Sequence, residues 1–144
     1  MLSVVVGRVL VPLNGSEMSE RALEYTLEAY PDADITVLTV VGEPSLMWGE
    51  AVGFALADDL EDEAQELAQP VFDHARTPAD TNGLADLETI VELGHPVRTI
   101  INRADDYETV VIGTYGGTVS ERLFVGDVAE TVVRRSPVPV VVVR

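Results

Sequence analysis

Cysteine and lysine are both absent from this sequence of 144 residues. The lack of cysteine excludes disulfides and thiolate metal sites, and two isolated histidines, His74 and His95, argue against a histidine metal cluster. No apolar run reaches the roughly 18–20 residues that a membrane-spanning helix needs. Residues 1–6 lack the basic region and the cleavage site of a signal peptide. We therefore expect a cytoplasmic protein.

The charge balance is strongly acidic. Aspartate and glutamate together number 25, the nine basic residues are all arginine, and the formal net charge is −16. Such a chain is repelled by nucleic acid and by anionic membranes, so we expect neither as a partner. The acidity indicates either simple solubility or adaptation to a high-salt cytoplasm, in which screening suppresses self-repulsion. The lack of lysine, ordinarily a common residue, favours the halophilic interpretation.

Strand and helix patterns alternate along the chain. Aliphatic and β-branched runs predict strands in the second half of 4–13 and at 35–41, 86–93, 109–112 and 138–143. Helical periodicity predicts helices at 16–30, about 58–75, 97–104 and 127–135, and Pro70 should kink or divide the second one. This alternation predicts a single α/β domain over residues 1–144, with an open five-stranded parallel sheet and helices on both faces.

Three glycines follow the fourth predicted strand: Gly113, Gly116 and, after nine intervening residues, Gly126. Glycines at a strand-to-helix turn let backbone N–H groups approach an anion closely, as in phosphate-binding loops. In open parallel sheets, ligands bind outside the carboxyl ends of the strands, where the winding direction reverses. The loops after the first and fourth strands, Leu13–Ser16 and Gly113–Gly126, are therefore the predicted binding site.

These motifs resemble those of the universal stress protein family. The resemblance includes the spacing G-x-x-G-x9-G and the final strand VPVVVV at 138–143. It extends to VLVPLNGSE at 9–17, SERAL at 19–23, VELGHP at 91–96 and VAETVVRRSPVP at 128–139. The similarity therefore covers the whole chain in order.

The resemblance implies the strand order 3-2-1-4-5, a homodimer and, in one branch of the family, bound ATP. In that branch an aspartate occupies the position of Asn14, and the end of strand two near Val40 meets adenine through its backbone. The phosphates lie on the three glycines, and hydroxyl residues occupy the positions of Asp127 and Ala129. The residues thereby predicted to contact a nucleotide are Leu13, Asn14, Val40, Ile112, Gly113, Tyr115, Gly116, Gly126, Asp127 and Val128.

This chain departs from the ATP-binding pattern at three positions: 14, 127 and 129. Asn14 keeps a carbonyl acceptor and gains a donor, whereas Asp127 and Ala129 have no hydroxyl. An ionised Asp127 a few ångströms from a triphosphate would cost about 1–4 kcal/mol, part of which a bridging Mg²⁺ would recover. Asp127 also fits the role of a helix N-cap, with Glu130 completing a capping box.

Two functions remain open at this point. One is a stress-response regulator with a weakened site for AMP, ADP or ATP, the nucleotide being accompanied by Mg²⁺. The other is a dimeric family member whose site is empty and which acts through protein–protein contacts. The loops show no general base, nucleophile or lysine, so we do not expect an enzyme.

The last predicted strand, Val138–Val143, carries no charge. In the implied strand order it lies at the edge of the sheet, where an uncovered apolar strand promotes aggregation. Pairing with the same strand of a second copy would cover that edge, and two-fold dimers are the commonest oligomers. The sequence therefore predicts a homodimer through this strand.

Overall fold

The computed structural model describes residues 7–41, 62, 64–73, 75, 87–114 and 128–144. The strands are Arg8–Pro12 (β1), Asp34–Val41 (β2), Glu88–Leu93 (β3), Thr109–Gly113 (β4) and Val140–Val143 (β5). The helical stretches within the described ranges are Glu17–Ala29 (α1), 64–73 (α2), Pro96–Ala104 (α3) and 128–135 (α4). The strands form one sheet of order β3-β2-β1-β4-β5, and every neighbouring pair is parallel. The predicted fold and strand order are confirmed.

A hydrophobic layer covers each face of the sheet. On one face, Val9 and Val11 of β1 pack in a cluster with residues of α1 and α2. On the other face, Leu10 of β1 and Leu38 of β2 pack with residues of α3 and α4. Each fully buried Val or Leu stabilises the fold by about 1.5–3 kcal/mol. Because the central strands are apolar at consecutive positions, they bury both faces, as parallel strands covered by helices do.

Helix α1 begins where the sequence predicts. Ser16 is its N-cap, and the Ser16 side chain accepts a hydrogen bond from the backbone N–H of Ser19 at 3.2 Å. Glu17 and Glu20 lie in the first turn, where their charges complement the positive end of the helix. The helix ends at Ala29, one residue before the C-cap Tyr30 and two before Pro31, which has no N–H with which to continue the ladder.

Helix α2 continues through Pro70. Residues 64–73 are helical without a break, so of the two expected effects of Pro70, a kink or a division, the division is wrong. Its buried side chains, Ala64, Ala68 and Phe72, recur every four residues and hold the helix against the sheet. Pro70 and Glu66 are exposed. Water can therefore satisfy the Glu66 carbonyl, which loses its helical donor at Pro70.

The edge strand β5 is shorter than predicted, because pairing begins at Val140 rather than at Val138. The hydroxyl of Ser136 accepts a hydrogen bond from the Val138 N–H at 3.2 Å and donates one to the Val138 carbonyl at 2.7 Å. A local turn therefore uses both backbone groups of Val138. Pro139 has no N–H, and its carbonyl accepts the Val110 N–H at 3.0 Å.

The other element boundaries differ from prediction by a few residues. β2 begins at Asp34 and β4 extends to Gly113, one residue further than the predicted bounds in each case. The predicted loops at 42–53 and 77–83 lie outside the described residues. No helix in the part of the chain that the structure describes is long and apolar enough to cross a membrane.

Candidate nucleotide site at the carboxyl edge of the sheet

A cavity of about 350 Å³ lies at the carboxyl ends of β1, β2 and β4. Its floor is apolar, with Leu38 and Val40 from β2 and Ile112 from β4. Pro96 and Ile100 of α3 and Val128 of α4 also line the cavity. The volume falls at the lower end of the range typical of small-molecule sites, which are mostly apolar with a few placed polar groups.

The polar part of this cavity comes from the turn between β1 and α1. Asn14 Oδ1 accepts a hydrogen bond from the Ser16 N–H at 2.9 Å, and Gly15 between them has φ of 82°. Ser19 donates its hydroxyl to the Ser16 carbonyl at 2.9 Å, and its oxygen lies 3.4 Å from the Asn14 backbone nitrogen. These bonds fix the turn and place Asn14, Ser16 and Ser19 on the cavity wall.

Gly113 joins this turn to the end of β4. A Cβ atom built on Gly113 would overlap the carbonyl oxygen of Met18 and would lie 2.6 Å from the Met18 carbonyl carbon. It would also lie 3.1 Å from the Ser19 nitrogen. Real Cβ atoms do not approach backbone this closely, so the backbone of α1 excludes any side chain at this position. Gly113 therefore has a packing role in addition to its predicted phosphate role.

The structure places six of the predicted contact residues on the wall of this one cavity. They are Leu13, Asn14, Val40, Ile112, Gly113 and Val128. The other four lie outside the described residues: Tyr115, Gly116, Gly126 and Asp127. The sequence pattern and the cavity thus agree on a location, and ligand contact by these residues remains a prediction.

Seven residues outside the predicted contact set also line the cavity, and one of them, Ser16, lies in the predicted binding loop Leu13–Ser16. They are Pro12, Ser16, Ser19, Leu38, His95, Pro96 and Ile100. Two of them, His95 and Pro96, lie where β3 passes into α3. The motif VELGHP lies at the carboxyl end of a strand, which places it at the same edge of the sheet as the first and fourth loops. From that position one could have predicted that His95 and Pro96 line the cavity.

Charged side chains do not line the described part of the cavity, where His95 is the only titratable residue. An ion pair between β3 and α3 lies in a separate polar depression. There Arg103 donates to Glu92 at 2.8 Å, and this bond raises the pKa of Arg103 above its ordinary value. Arg103 thus stays charged at any working pH and is paired with Glu92 rather than directed to a ligand.

Ala129 lies at one of the positions where the ATP-binding pattern has a hydroxyl. It is 3 % exposed and packs in the cluster with Leu10, Val110 and Val132. Among the described residues, no group of three or more His, Asp or Glu side chains is placed to hold a metal ion.

A five-stranded parallel sheet of order 3-2-1-4-5 is the fold of UspA-type proteins. This fold is called adenine nucleotide α-hydrolase-like. The chain belongs to the Universal stress protein family, whose sequence model matches residues 6–144. Members of this family are generally regulatory stress proteins, and some bind ATP.

Individual relatives are similar over nearly their full length. Universal stress protein YxiE of Bacillus subtilis is 25 % identical, covering 95 % of this chain and 98 % of its own. The solved structure of UspA from Lactobacillus plantarum is 22 % identical, has a TM-score of 0.79, and covers 99 % of this chain and 100 % of its own. A universal stress protein crystallised with cAMP is 27 % identical, has a TM-score of 0.71, and covers 97 % and 98 %.

Proposed function

We propose that this protein is a regulatory stress-response module that binds an adenine nucleotide with few phosphates in the cavity at the carboxyl edge. AMP, cAMP or ADP would be preferred over ATP. The proposed role is regulatory rather than enzymatic, because members of the family are generally regulatory stress proteins. The cavity itself carries the proposal, since it combines an apolar floor with a small polar rim in the volume of a small-molecule site.

Charge supports a ligand with few phosphates. The net charge of −16 disfavours a polyanion anywhere near the surface, and no described arginine lines the cavity to offset it. Asp127 follows the last glycine of the motif directly, and an ionised carboxylate beside a terminal phosphate would cost about 1–4 kcal/mol. Removing the terminal phosphates removes most of that repulsion.

The relative crystallised with cAMP supports the same choice. At 27 % identity over nearly the whole chain, it is a family member whose ligand is an adenine nucleotide with a single phosphate. The apolar floor formed by Leu38, Val40 and Ile112 suits the flat face of a purine. The polar turn at Asn14 suits the ribose or the phosphate.

Titration calorimetry with AMP, cAMP, ADP and ATP, each with and without Mg²⁺, tests this proposal. We expect the affinity to fall as phosphates are added, and Mg²⁺ to help ATP most. Tighter binding of ATP than of AMP in the absence of Mg²⁺ would contradict the proposed preference. Absence of binding by all four nucleotides would contradict the nucleotide site and favour the second candidate below.

The second candidate is a dimer that acts through protein–protein contacts without a nucleotide. Two valines favour such contacts: Val142 on β5 is 39 % exposed, and Val133 on α4 is 48 % exposed. β5 pairs with β4 on one side only. In either candidate we propose that a second copy of the chain covers this edge, because a two-fold axis would pair the apolar strand with itself.

A further inference from the structure

His95 stands on the cavity wall at the point where β3 passes into α3. The N–H of Gly94 donates to the Val41 carbonyl at 3.0 Å, so the chain stays attached to β2 for one residue beyond β3. Gly94 has φ of 143°, a backbone conformation that favours glycine, and Pro96 begins α3. This turn holds His95 at the β2 end of the cavity, on a wall that it shares with Val40.

The helix does not account for a histidine at this position. His95 is the N-cap of α3, yet its side chain makes no capping hydrogen bond, and the helix uses its backbone carbonyl, which accepts the Thr99 N–H at 3.0 Å. Serine, threonine, aspartate or asparagine would cap the helix better. Within the ranges that the structure describes, the imidazole has no hydrogen bond, ion pair or ring contact, and the residue is exposed. The ring is therefore available to a ligand in the cavity.

His95 lies at the opposite end of the cavity from the glycine that ends β4. The sheet order places β1 between β2 and β4, so two strand spacings of about 4.8 Å each separate the end of β2 from Gly113. The polar turn between β1 and α1, which suits the ribose or the phosphate, lies between them at Asn14. A nucleotide whose phosphate lies at this turn or beside Gly113 would extend its base over Leu38 and Val40 toward His95.

We propose that His95 binds the nucleotide by stacking its ring on the purine base. This inference rests on the proposed nucleotide function. The apolar side chains of Leu38, Val40 and Ile112 cover one face of the base, and the exposed imidazole at the rim of the cavity covers the other. Aromatic side chains, histidine among them, stack on bases because every base has a π-face.

Titration calorimetry of His95→Ala and His95→Phe with two probes, adenosine and cAMP, tests the proposal. Both probes carry the same purine, and only cAMP carries a phosphate. We expect His95→Ala to weaken both ligands at least fivefold and by nearly the same factor, because the base is common to them. His95→Phe should bind adenosine within twofold of the wild-type protein, because phenylalanine keeps a planar ring and loses only the ring nitrogens.

Arg98→Ala is the matched control on the same helix. Arg98 lies in the first turn of α3, is exposed and is not among the residues on the described part of the cavity wall. This variant should change adenosine affinity less than twofold. Urea unfolding should show nearly the same midpoint for His95→Phe and the wild-type protein, because the imidazole makes no contact that the fold requires within the described ranges.

Equal adenosine affinity in His95→Ala and the wild-type protein would overturn the inference. An equal loss in His95→Phe would assign the contact to the ring nitrogens, a loss confined to cAMP would place the phosphate at His95, and an equal loss in Arg98→Ala would trace the effect to the helix. Each of these results would also overturn the stacking. Failure of the wild-type protein to bind either probe would instead overturn the proposed nucleotide function itself, so the two failures are distinguishable.

Discussion

Substitution of Gly113 by alanine separates packing from ligand binding at the end of β4. The added Cβ would overlap the Met18 carbonyl oxygen and would approach the Met18 carbonyl carbon to 2.6 Å. Backbone at the start of a capped helix cannot rotate away as the tip of a side chain can. The strand and the helix must therefore move apart, which costs about 2–3 kcal/mol at the upper end of ordinary overpacking.

Urea unfolding followed by circular dichroism measures this cost. Urea carries no charge, so it leaves the screening of an acidic chain unchanged. With a slope of about 2 kcal/mol/M for a domain of this size, Gly113→Ala should lower the midpoint by about 1–1.5 M. All variants are compared at one protein concentration, because association of subunits would shift the midpoint.

Gly7→Ala is the matched control. A Cβ on Gly7 would meet only the Glu108 carboxylate, whose Oε1 lies 2.7 Å away at the end of a flexible side chain. That group can rotate into solvent, so the free energy of unfolding should change by no more than about 0.5 kcal/mol. Equal midpoints for Gly113→Ala and Gly7→Ala would refute the packing role. A selective loss of nucleotide affinity with no loss of stability would assign Gly113 to the ligand alone.

Other regions of the chain give independent predictions. Ser16→Ala should destabilise the protein by about 1 kcal/mol in urea, because it removes the helix cap, whereas Ser16→Asn should restore most of the loss. Light scattering at micromolar concentration should show a dimer, and Val142→Lys should make it a monomer; a wild-type monomer would contradict the edge pairing. Asp127→Ser should tighten ATP binding in calorimetry, and an unchanged affinity in a folded variant would show that Asp127 is not the obstacle. The melting temperature should rise between dilute buffer and molar KCl, and a constant value would reject salt adaptation.

The sequence predicted the fold because its strongest signals are local and consistent. Two of these signals are seen directly in the structure. The consecutive apolar residues of β4 form a fully buried strand, and Ser16 caps a helix with an acidic first turn. Errors arose at two positions for opposite reasons. At Val138 a serine hydroxyl accepts the backbone N–H that the predicted strand would have used, so hydrogen bonding overrides the apolar pattern. At Pro70 the buried side chains of α2 hold the helix together despite the missing N–H.

The site was predictable in location more than in detail. A glycine spacing after a strand points to the edge of the sheet at which the cavity lies, and six of the predicted residues line that cavity. No sequence pattern shows that Gly113 lies against the backbone of Met18. The contact depends on how closely a strand and a helix approach, and that distance is set by tertiary packing.

The central position of β1 has a consequence for how the chain is made. Val9 of β1 pairs with Ile35 on one side and with Thr109 on the other, and the second partner lies 100 positions later in the chain. During synthesis, one ladder of β1 must therefore wait until most of the polypeptide has left the ribosome. Such long-range closure slows folding and leaves an unpaired apolar strand exposed meanwhile. A nascent chain that stalls before Thr109 would consequently be a natural client for chaperones.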